Sequence, residues 1–301
     1  MSQQYHTPVL FNESIEALNI KPGGIYVDCT FGSGGHSKGI LSKLDEQGKI
    51  IAFDQDADAQ QNIPNDKRII FVPQNFRHLK RFLRLHKIAG VDGILADLGV
   101  SSYQFDEGER GFSTRFEGPL DMRMDRRQPL TAATVLLTYS ETQLHKMFEQ
   151  YGEVTNAKTL AKHIIQNRQY KPLQTIEAFR VLLQPVVKGN PHKYLAQVFQ
   201  SLRIEVNDEM GALKEMLQQL PDVLHTGGRA AIITFHSLED RIVKNFFKNE
   251  NEEDDTANPF TTEEKEHKLK IITKKPVTPS VEELKKNPRS RSAKLRVAER
   301  R

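Results

Sequence analysis

Short apolar runs alternate with amphipathic segments along the first hundred residues. Four short apolar runs are predicted as strands, at 25–29, 50–53, 68–72 and 93–97, and the first is rich in the β-branched and aromatic residues that favour strands. Three intervening segments place apolar side chains at helical spacing, at 37–44, 56–62 and 77–88. In the last of these, Lys80, Arg81, Arg84 and Lys87 are expected on the outer face. This alternation predicts an α/β fold with a parallel sheet covered on both faces.

The pattern changes near residue 107. A charge-dense loop with little periodicity is followed by four amphipathic helical stripes without a strand between them, at 140–152, 157–165, 179–183 and 195–202. The loop is longer than ordinary connections, and long ordered loops tend to carry function. We therefore predict a small all-helical domain over 108–205, inserted into a sheet domain made of 1–107 and 206–301.

The sheet is expected to resume after a helix over 207–220. A buried strand over 229–235 leads into a helix, for which Ser237 and Asp240 are suitable N-cap residues. His236, at the end of that strand, has no such structural explanation. Two further strands, at 269–273 and 294–298, are expected to form a terminal antiparallel hairpin joined by 276–291.

Charge is distributed unevenly in the last fifty residues. The chain of 301 residues is 38% hydrophobic and has a net charge of only +4. Residues 250–266 hold eight acidic residues against one lysine, whereas 274–301 hold ten Lys or Arg against three Glu. We interpret 250–267 as an acidic linker. The basic end, which contains Arg289, Arg291 and Lys294, is either a solvated, partly disordered tail or a segment that contacts the phosphates of a nucleic acid.

Several classes of protein are disfavoured by composition. A single cysteine, Cys29, excludes an internal disulfide and a cysteine zinc site, and no metal is predicted. No apolar run is long enough to span a bilayer, and the N-terminus lacks the features of a signal peptide. We expect a cytoplasmic protein without a membrane partner.

The candidate chemistry centres on residues 25–36, which read IYVDCTFGSGGH. A glycine-rich turn after a strand allows backbone amides to approach a ligand, but Ser37 stands where a dinucleotide fingerprint needs its third glycine. Asp28 followed by G-x-G-G resembles motif I of S-adenosylmethionine-dependent methyltransferases. Asp54 has the spacing of a ribose-binding carboxylate. With Asp97, three carboxylates are expected to converge at the carboxyl edge of the sheet.

Longer strings are similar to the bacterial RsmH (MraW) family, whose members methylate the exocyclic N4 of a cytidine in the decoding centre of small-subunit ribosomal RNA. The strings that carry the resemblance are His6-Thr-Pro-Val-Leu10, Asp28-Cys-Thr-Phe-Gly-Ser-Gly-Gly-His36, Asp97-Leu-Gly-Val-Ser-Ser102, Glu109-Arg-Gly-Phe-Ser113, Leu120-Asp-Met-Arg-Met-Asp125, Thr234-Phe-His-Ser-Leu-Glu-Asp-Arg241 and Arg289-Ser-Arg-Ser-Ala-Lys-Leu-Arg-Val-Ala-Glu299. They extend over nearly the full length of the chain.

The resemblance implies a Rossmann-like class I methyltransferase sheet with an inserted helical domain that helps to hold the cytidine. It implies S-adenosylmethionine as the methyl donor and the small ribosomal subunit with its 16S rRNA as the partner. Cofactor contacts are implied at Gly34, Gly35, His36, Asp54, Phe76, Asp97 and Gln104. A homodimer is compatible with the sequence, which leaves the oligomeric state open.

The residue that accepts the amino hydrogens is left open by the sequence. Cytosine N4 is conjugated with its ring and is a poor nucleophile, so an acceptor must stabilise the positive charge that develops on it. DNA amino-methyltransferases use a D/N/S-P-P-Y/F string after strand four, and this chain has Asp97-Leu-Gly-Val instead. The candidates are Asp97, Asp121, Asp125 and His236.

Other functions compete with this interpretation. The first is a non-catalytic assembly factor that binds S-adenosylmethionine or RNA, although a pure binder has no need of a cofactor loop. The second is an enzyme of the same fold that acts on another nucleic acid or on protein. A ribose methylase is disfavoured because no lysine ends a core strand, and an NAD enzyme is disfavoured by Ser37.

Overall fold

The computed structural model describes residues 8–170, 173–249 and 268–301. The chain divides into two compact units, one made of Met1–Gly99 and Gly211–Arg301 and the other of Val100–Met210. The predicted acidic linker lies outside the described residues, as do His6 and Thr7 of the N-terminal motif. No helix in the described ranges is long and apolar enough to cross a bilayer.

The first unit is built on one sheet, in which the described residues contribute seven strands. In chain order the strands are β1 Ile25–Asp28, β2 Lys49–Phe53, β3 Ile69–Val72, β4 Val91–Asp97, β5 Leu224–Thr234, β6 Leu269–Ile271 and β7 Lys294–Arg300. Their spatial order is β3-β2-β1-β4-β5-β7-β6. Strands β1 to β5 run parallel, whereas β7 is antiparallel to both β5 and β6. The predicted α/β sheet and its terminal hairpin are confirmed.

The helices span both units. In chain order they are α1 Phe11–Ala17, α2 Gly35–Leu41, α3 Leu79–Leu85, α4 Ser102–Asp106, α5 Ala132–Thr138, α6 Glu141–Gly152, α7 Ala157–Asn167, α8 Ile176–Leu183, α9 Pro191–Asn207, α10 Glu209–Val223, α11 Ser237–Asn249 and α12 Val281–Lys286. Helices α1 to α3, α11 and α12 belong to the first unit, together with nearly all of α10. Helices α4 to α9 make up the second unit.

Alternate side chains of the central strands supply two apolar layers, one on each face of the sheet. Val27, Ile51 and Ile94 pack with the apolar residues of α3, α10 and α11. Their neighbours Tyr26 and Ile50 pack on the opposite face with α1 and α2. Because successive strand residues point to opposite faces, these near-continuous apolar runs bury both sides of the sheet and hold its carboxyl edge rigid.

The second unit has its own apolar core, to which all of α5 to α9 contribute. Asn207, the last residue of α9, forms hydrogen bonds with the long loop that precedes α5. Its side-chain amide donates to the Met122 carbonyl at 2.7 Å, and its Oδ1 accepts from the Met124 amide at 2.7 Å. The loop that precedes α5 is therefore ordered despite its lack of periodicity. A role of this unit in binding the cytidine stays a prediction.

Three local expectations differ from the structure. The helix expected over 207–220 begins later than predicted. Helix α9 runs through Asn207, and Asp208, with a left-handed φ of 45°, ends that helix. Helix α5 was not expected, since its short apolar segment carries too few residues to show a period. The connection over 276–291 contains α12 and most of a 3₁₀ turn, Pro288–Ser292.

Candidate active site

The carboxylate of Asp28 ends β1 and organises the turn that follows it. It is fully buried, and its Oδ2 accepts from the Ser37 hydroxyl at 2.7 Å while Oδ1 accepts from the Thr30 amide at 3.1 Å. Burial raises the pKa of Asp28, and the hydrogen bond from Ser37 partly opposes this shift. Ser37 thus has a structural function at the position where a dinucleotide-binding loop would have glycine.

The glycines of the turn are required by the chain itself. Gly34 has a φ of 75°, in the left-handed region, and a Cβ there would lie 2.9 Å from the Phe31 ring. A Cβ on Gly35 would lie 2.3 Å from Cγ of Pro8. Packing therefore explains both glycines without a ligand, and their predicted cofactor contacts remain predictions.

Asp54 follows β2 and holds the same turn from the neighbouring strand. Its Oδ2 accepts from the Gly32 amide at 2.7 Å, and its Oδ1 accepts from the Asp56 amide at 2.9 Å. Burial raises the pKa of Asp54 to about 6, although the two amide hydrogen bonds oppose that shift. A carboxylate with this pKa changes its charge within the physiological range.

Asp97 ends β4 and lies beside the imidazole of His36. Nε2 of His36 is 3.5 Å from Oδ2 of Asp97, and the backbone amide of Asp97 donates to the Thr30 hydroxyl at 2.7 Å. The other carboxylate oxygen, Oδ1, is buried, and no hydrogen-bond partner for it exists among the described residues. A buried acceptor without a donor is costly in a folded protein, and the described residues supply no hydrogen bond to offset that cost.

His36 itself is buried and held from two sides by α1. Its Nδ1 lies 3.3 Å from the Ser14 hydroxyl, and the Phe11 ring stacks on it with centroids 6.0 Å apart. Burial alone would lower the pKa of His36, but the carboxylates of Asp97 and Asp28 outweigh burial and raise it. The ring is therefore both oriented and electrostatically coupled to the carboxyl edge of the sheet.

The carboxyl ends of three adjacent strands thus bring together Asp54, Asp28 and Asp97, as the sequence predicts. The charge of Asp28 raises the pKa of Asp54, and the charge of Asp97 raises that of Asp28. Mutual repulsion of this kind is relieved by a cationic ligand and increased by an anionic one. The edge therefore suits the sulfonium cation of S-adenosylmethionine and disfavours a pyrophosphate.

Two other residues implied as cofactor contacts have clear local surroundings. Phe76 follows β3 in a short 3₁₀ turn and is half-buried against the core of the first unit. Gln104 belongs to the second unit, where its Oε1 accepts from the Ser101 amide at 3.0 Å in a capping box that starts α4. Their roles toward a cofactor remain predictions.

The start of α11 corrects one expectation. The cap involves His236 and Glu239, because Nδ1 of His236 accepts from the Glu239 amide and Glu239 accepts from the Phe235 amide. Asp240, expected as part of an N-cap pair with Ser237, instead binds Arg296 at 2.7 Å and Lys294 at 3.1 Å. His236 thus has the structural explanation that the sequence did not provide, and its catalytic role stays a prediction.

Asp121 and Asp125 lie in the long loop of the second unit, and each forms an ion pair with the arginine two residues later. Arg123 binds Asp121 at 2.8 Å, and Arg127 binds Asp125 at 2.8 Å. Burial would raise the pKa of each carboxyl, but the arginine hydrogen bonds outweigh it and lower both. These carboxylates already have strong donors, in contrast to Oδ1 of Asp97.

The predicted RNA-binding residues differ in their surroundings. Arg289 and Arg291 are exposed in the 3₁₀ turn before β7. Lys294 is engaged by Asp240 of α11, so part of its charge is neutralised within the protein. The contacts of all three residues with RNA remain predictions.

Sequence reasoning missed the residues that orient the site from a distance. Ser14 and Phe11 hold His36, and Thr30 holds the backbone of Asp97. No spacing rule links α1 to strand ends that follow it by many residues. Thr30 had a detectable signal, since it lies within the glycine-rich motif.

Comparison with known proteins identifies the family. A ribosomal RNA small subunit methyltransferase H of Phocaeicola vulgatus is 52% identical over 300 residues, which cover 99% of this chain and 98% of that protein. Its counterpart in Bacteroides fragilis is 51% identical, with coverages of 98% and 97%. A solved rRNA methylase from Streptococcus thermophilus is 12% identical with a TM-score of 0.40, and covers 96% of this chain and 93% of its own. Residues 3–301 match the MraW methylase family, to which this chain belongs.

Proposed function

We propose that this methylase transfers a methyl group from S-adenosylmethionine to the exocyclic N4 of a cytidine in the decoding centre of small-subunit ribosomal RNA. The substrate class is supported by relatives about half identical over nearly the whole chain, each named a ribosomal RNA small subunit methyltransferase H. The single structural observation that supports the target atom is the carboxylate of Asp97 at the carboxyl edge of the sheet, which is partly exposed and whose Oδ1 has no partner among the described residues.

The residues at this edge fit the cofactor. S-adenosylmethionine supplies an electrophilic methyl group on a positively charged sulfur. Asp54 would accept hydrogen bonds from the ribose hydroxyls, at the strand end where Rossmann-like folds place this carboxylate. The negative edge formed with Asp28 and Asp97 would favour the cation, and Phe76 would be a candidate to contact the cofactor through its ring.

Asp97 is the best candidate for the acceptor of the amino hydrogens. An amino group that attacks a methyl group becomes positively charged, and a carboxylate held in place stabilises that charge without reorganisation. The side chain of Asp97 faces His36 and keeps 23% of its surface exposed, so a substrate amino group can reach the carboxylate. Asp121 and Asp125 are each paired with an arginine, and His236 caps α11.

Alignment of the methyl donor with the amino group supplies much of the remaining rate enhancement. Holding two reactants in line is worth on the order of 7 to 11 kcal/mol, and the rigid sheet edge provides one half of that alignment. We propose that the second unit, Val100–Met210, holds the cytidine and that Arg289 and Arg291 contact phosphates. The base must leave its stack, as in other enzymes that modify bases. We propose the cytoplasm as the location, where such subunits are made.

Transfer of label tests the proposal directly. Purified protein, labelled S-adenosylmethionine and small subunits that lack the modification are incubated, and the RNA is digested for nucleoside mass spectrometry. Label in N4-methylcytidine is the expected result. Label in another nucleoside would refute the proposed target atom. Cofactor binding without label in any RNA would favour the non-catalytic assembly factor.

A further inference from the structure

A second basic surface lies on α3. No acidic residue occurs between Asp66 and Asp92, a stretch that contains five Lys or Arg from Arg77 onward. Leu79 and Leu83 are buried against the sheet, so the cations of this short helix project outward. Arg81 and Arg84 are exposed. The sequence prediction of an outward-facing basic stripe is correct here.

The outer face of α3 borders an open groove of about 690 Å³. Four of the groove's lining residues are Lys or Arg, namely Arg77, Lys80, Arg81 and Arg84. Leu85 also lines it and leaves 68% of its surface exposed. A cationic groove with an exposed apolar side chain fits a strand of nucleic acid, whose phosphates are charged and whose sugars and bases are not.

The cations of this groove are neutralised unequally. Arg77 binds Glu215 through two hydrogen bonds, at 2.8 and 3.0 Å, and Lys80 binds Asp222. Neither Arg81 nor Arg84 has a carboxylate within ion-pair distance in the described part of the chain. The guanidinium of Arg81 lies over the Phe82 ring, 6.0 Å from its centroid.

From these observations we infer that the outer face of α3 binds the phosphate backbone of ribosomal RNA through Arg81 and Arg84. The two residues are three apart on one helix face, so their Cβ atoms are about 5–6 Å apart and both reach the same strand. Guanidinium groups bind phosphate oxygens in a fork geometry. Arg77 directly follows Phe76, so this surface begins beside the strand end that the proposed cofactor site uses.

This inference rests on the proposed function for the identity of the RNA. Removing the two arginines tests it. In Arg81→Ala with Arg84→Ala, we expect the Kd for unmethylated small subunits and for protein-free 16S rRNA to rise about tenfold at low salt. The slope of log affinity against log salt concentration should fall by about 1.5, since two phosphate contacts are lost. The Kd for S-adenosylmethionine should not change.

Two controls make this loss specific. Lys43→Ala with Lys49→Ala removes the same charge from exposed positions after α2 and at the start of β2, and should leave the slope within about 0.3 of the original. Arg81→Lys with Arg84→Lys keeps both charges and should retain most of the affinity. Equal losses in the two alanine pairs would overturn the inference. A loss with small subunits but not with free rRNA would also overturn it, and would indicate a ribosomal protein as the partner.

The inference and the proposed function fail in different ways. If the wild-type protein labels N4-methylcytidine and the Arg81 and Arg84 variant binds RNA with unchanged affinity and slope, only the inference is wrong. If no RNA is labelled but the variant loses its affinity for rRNA, the surface is real and the proposed reaction is wrong.

Discussion

The imidazole of His36 lies between α1 and the end of β4, and its Nε2 is 3.5 Å from Oδ2 of Asp97. On the other side of the ring, the Ser14 hydroxyl donates to the Phe11 carbonyl at 3.0 Å, so toward Nδ1 of His36 its oxygen acts as the acceptor. Nδ1 then carries a hydrogen, and the carboxylate of Asp97 beside Nε2 favours a second one there. The carboxylates of Asp97 and Asp28 accordingly raise the pKa of His36.

Loss of the Asp97 charge should abolish most of the activity. Asp97→Asn removes the carboxylate that would stabilise the developing positive charge, and we expect kcat to fall about 10²- to 10³-fold. The rate is measured in single-turnover methyl transfer at saturating cofactor and small subunits. Asp125→Asn is the matched control and should stay within about tenfold of wild type. Equal losses in both variants would contradict the assignment of Asp97 as acceptor.

His36 should titrate above its ordinary pKa, and the shift should depend on Asp97. We expect NMR titration of the imidazole to show a raised pKa in the wild type and a lower one in Asp97→Asn. A raised pKa means that the folded state binds the proton more tightly than the unfolded state does. This contribution to stability is therefore complete below about pH 6.5 and is lost as the pH rises through the pKa of the folded state. Identical titration curves would disprove the coupling.

Cofactor affinity should fall in mild acid because of Asp54. Its pKa is about 6 in the folded protein, and an ionised carboxylate is the better acceptor for ribose hydroxyls. Below pH 6 the binding-competent fraction falls, so the Kd for S-adenosylmethionine should rise up to about tenfold per pH unit. Calorimetry from pH 5 to about 8 measures this dependence. Asp54→Asn should bind weakly at every pH, and a wild-type profile without a bend near pH 6 would contradict the assignment.

The turn should not tolerate a side chain at Gly35. In Gly35→Ala the new Cβ would meet Pro8 at 2.3 Å, and the overpacking should cost about 1–3 kcal/mol of unfolding free energy. Gly23→Ala is the control, since its Cβ would have only ordinary contacts, at 3.8 Å or more. Urea unfolding measures both variants. Equal stability of the two would show that Pro8 does not constrain the turn.

The arginines before β7 should matter for RNA and not for the cofactor. Arg289→Ala with Arg291→Ala should weaken binding to small subunits several-fold and flatten its salt dependence, since these cations are proposed to contact phosphates. Lys285→Ala with Lys286→Ala removes the same charge from exposed positions of α12 and should have less effect. Filter binding and cofactor calorimetry separate the two ligands. Unchanged affinity for RNA would refute the role of these arginines.

Much of the fold followed from local patterns. Apolar runs at 25–29, 50–53 and 93–97 marked strands, and helical stripes marked most of the second unit, because hydrophobic period and strand preference act over a few residues. Boundaries were less certain. The boundary between α9 and α10 lies at Asp208, next to Asn207, whose amide binds a loop more than eighty residues earlier. A contact of that range leaves no trace in local periodicity.

The sequence by itself determined that Asp28, Asp54 and Asp97 would meet, since parallel strands align their carboxyl ends at one edge. Only the tertiary structure decided what each carboxylate does. Asp28 is buried and holds the turn through Ser37, whereas Asp97 keeps one oxygen without a partner in the described chain. The difference arises from burial and from side chains that packing brings in from α1 and the glycine-rich turn. Strand order fixes position along the edge, but charge and hydrogen bonding there depend on residues distant in sequence.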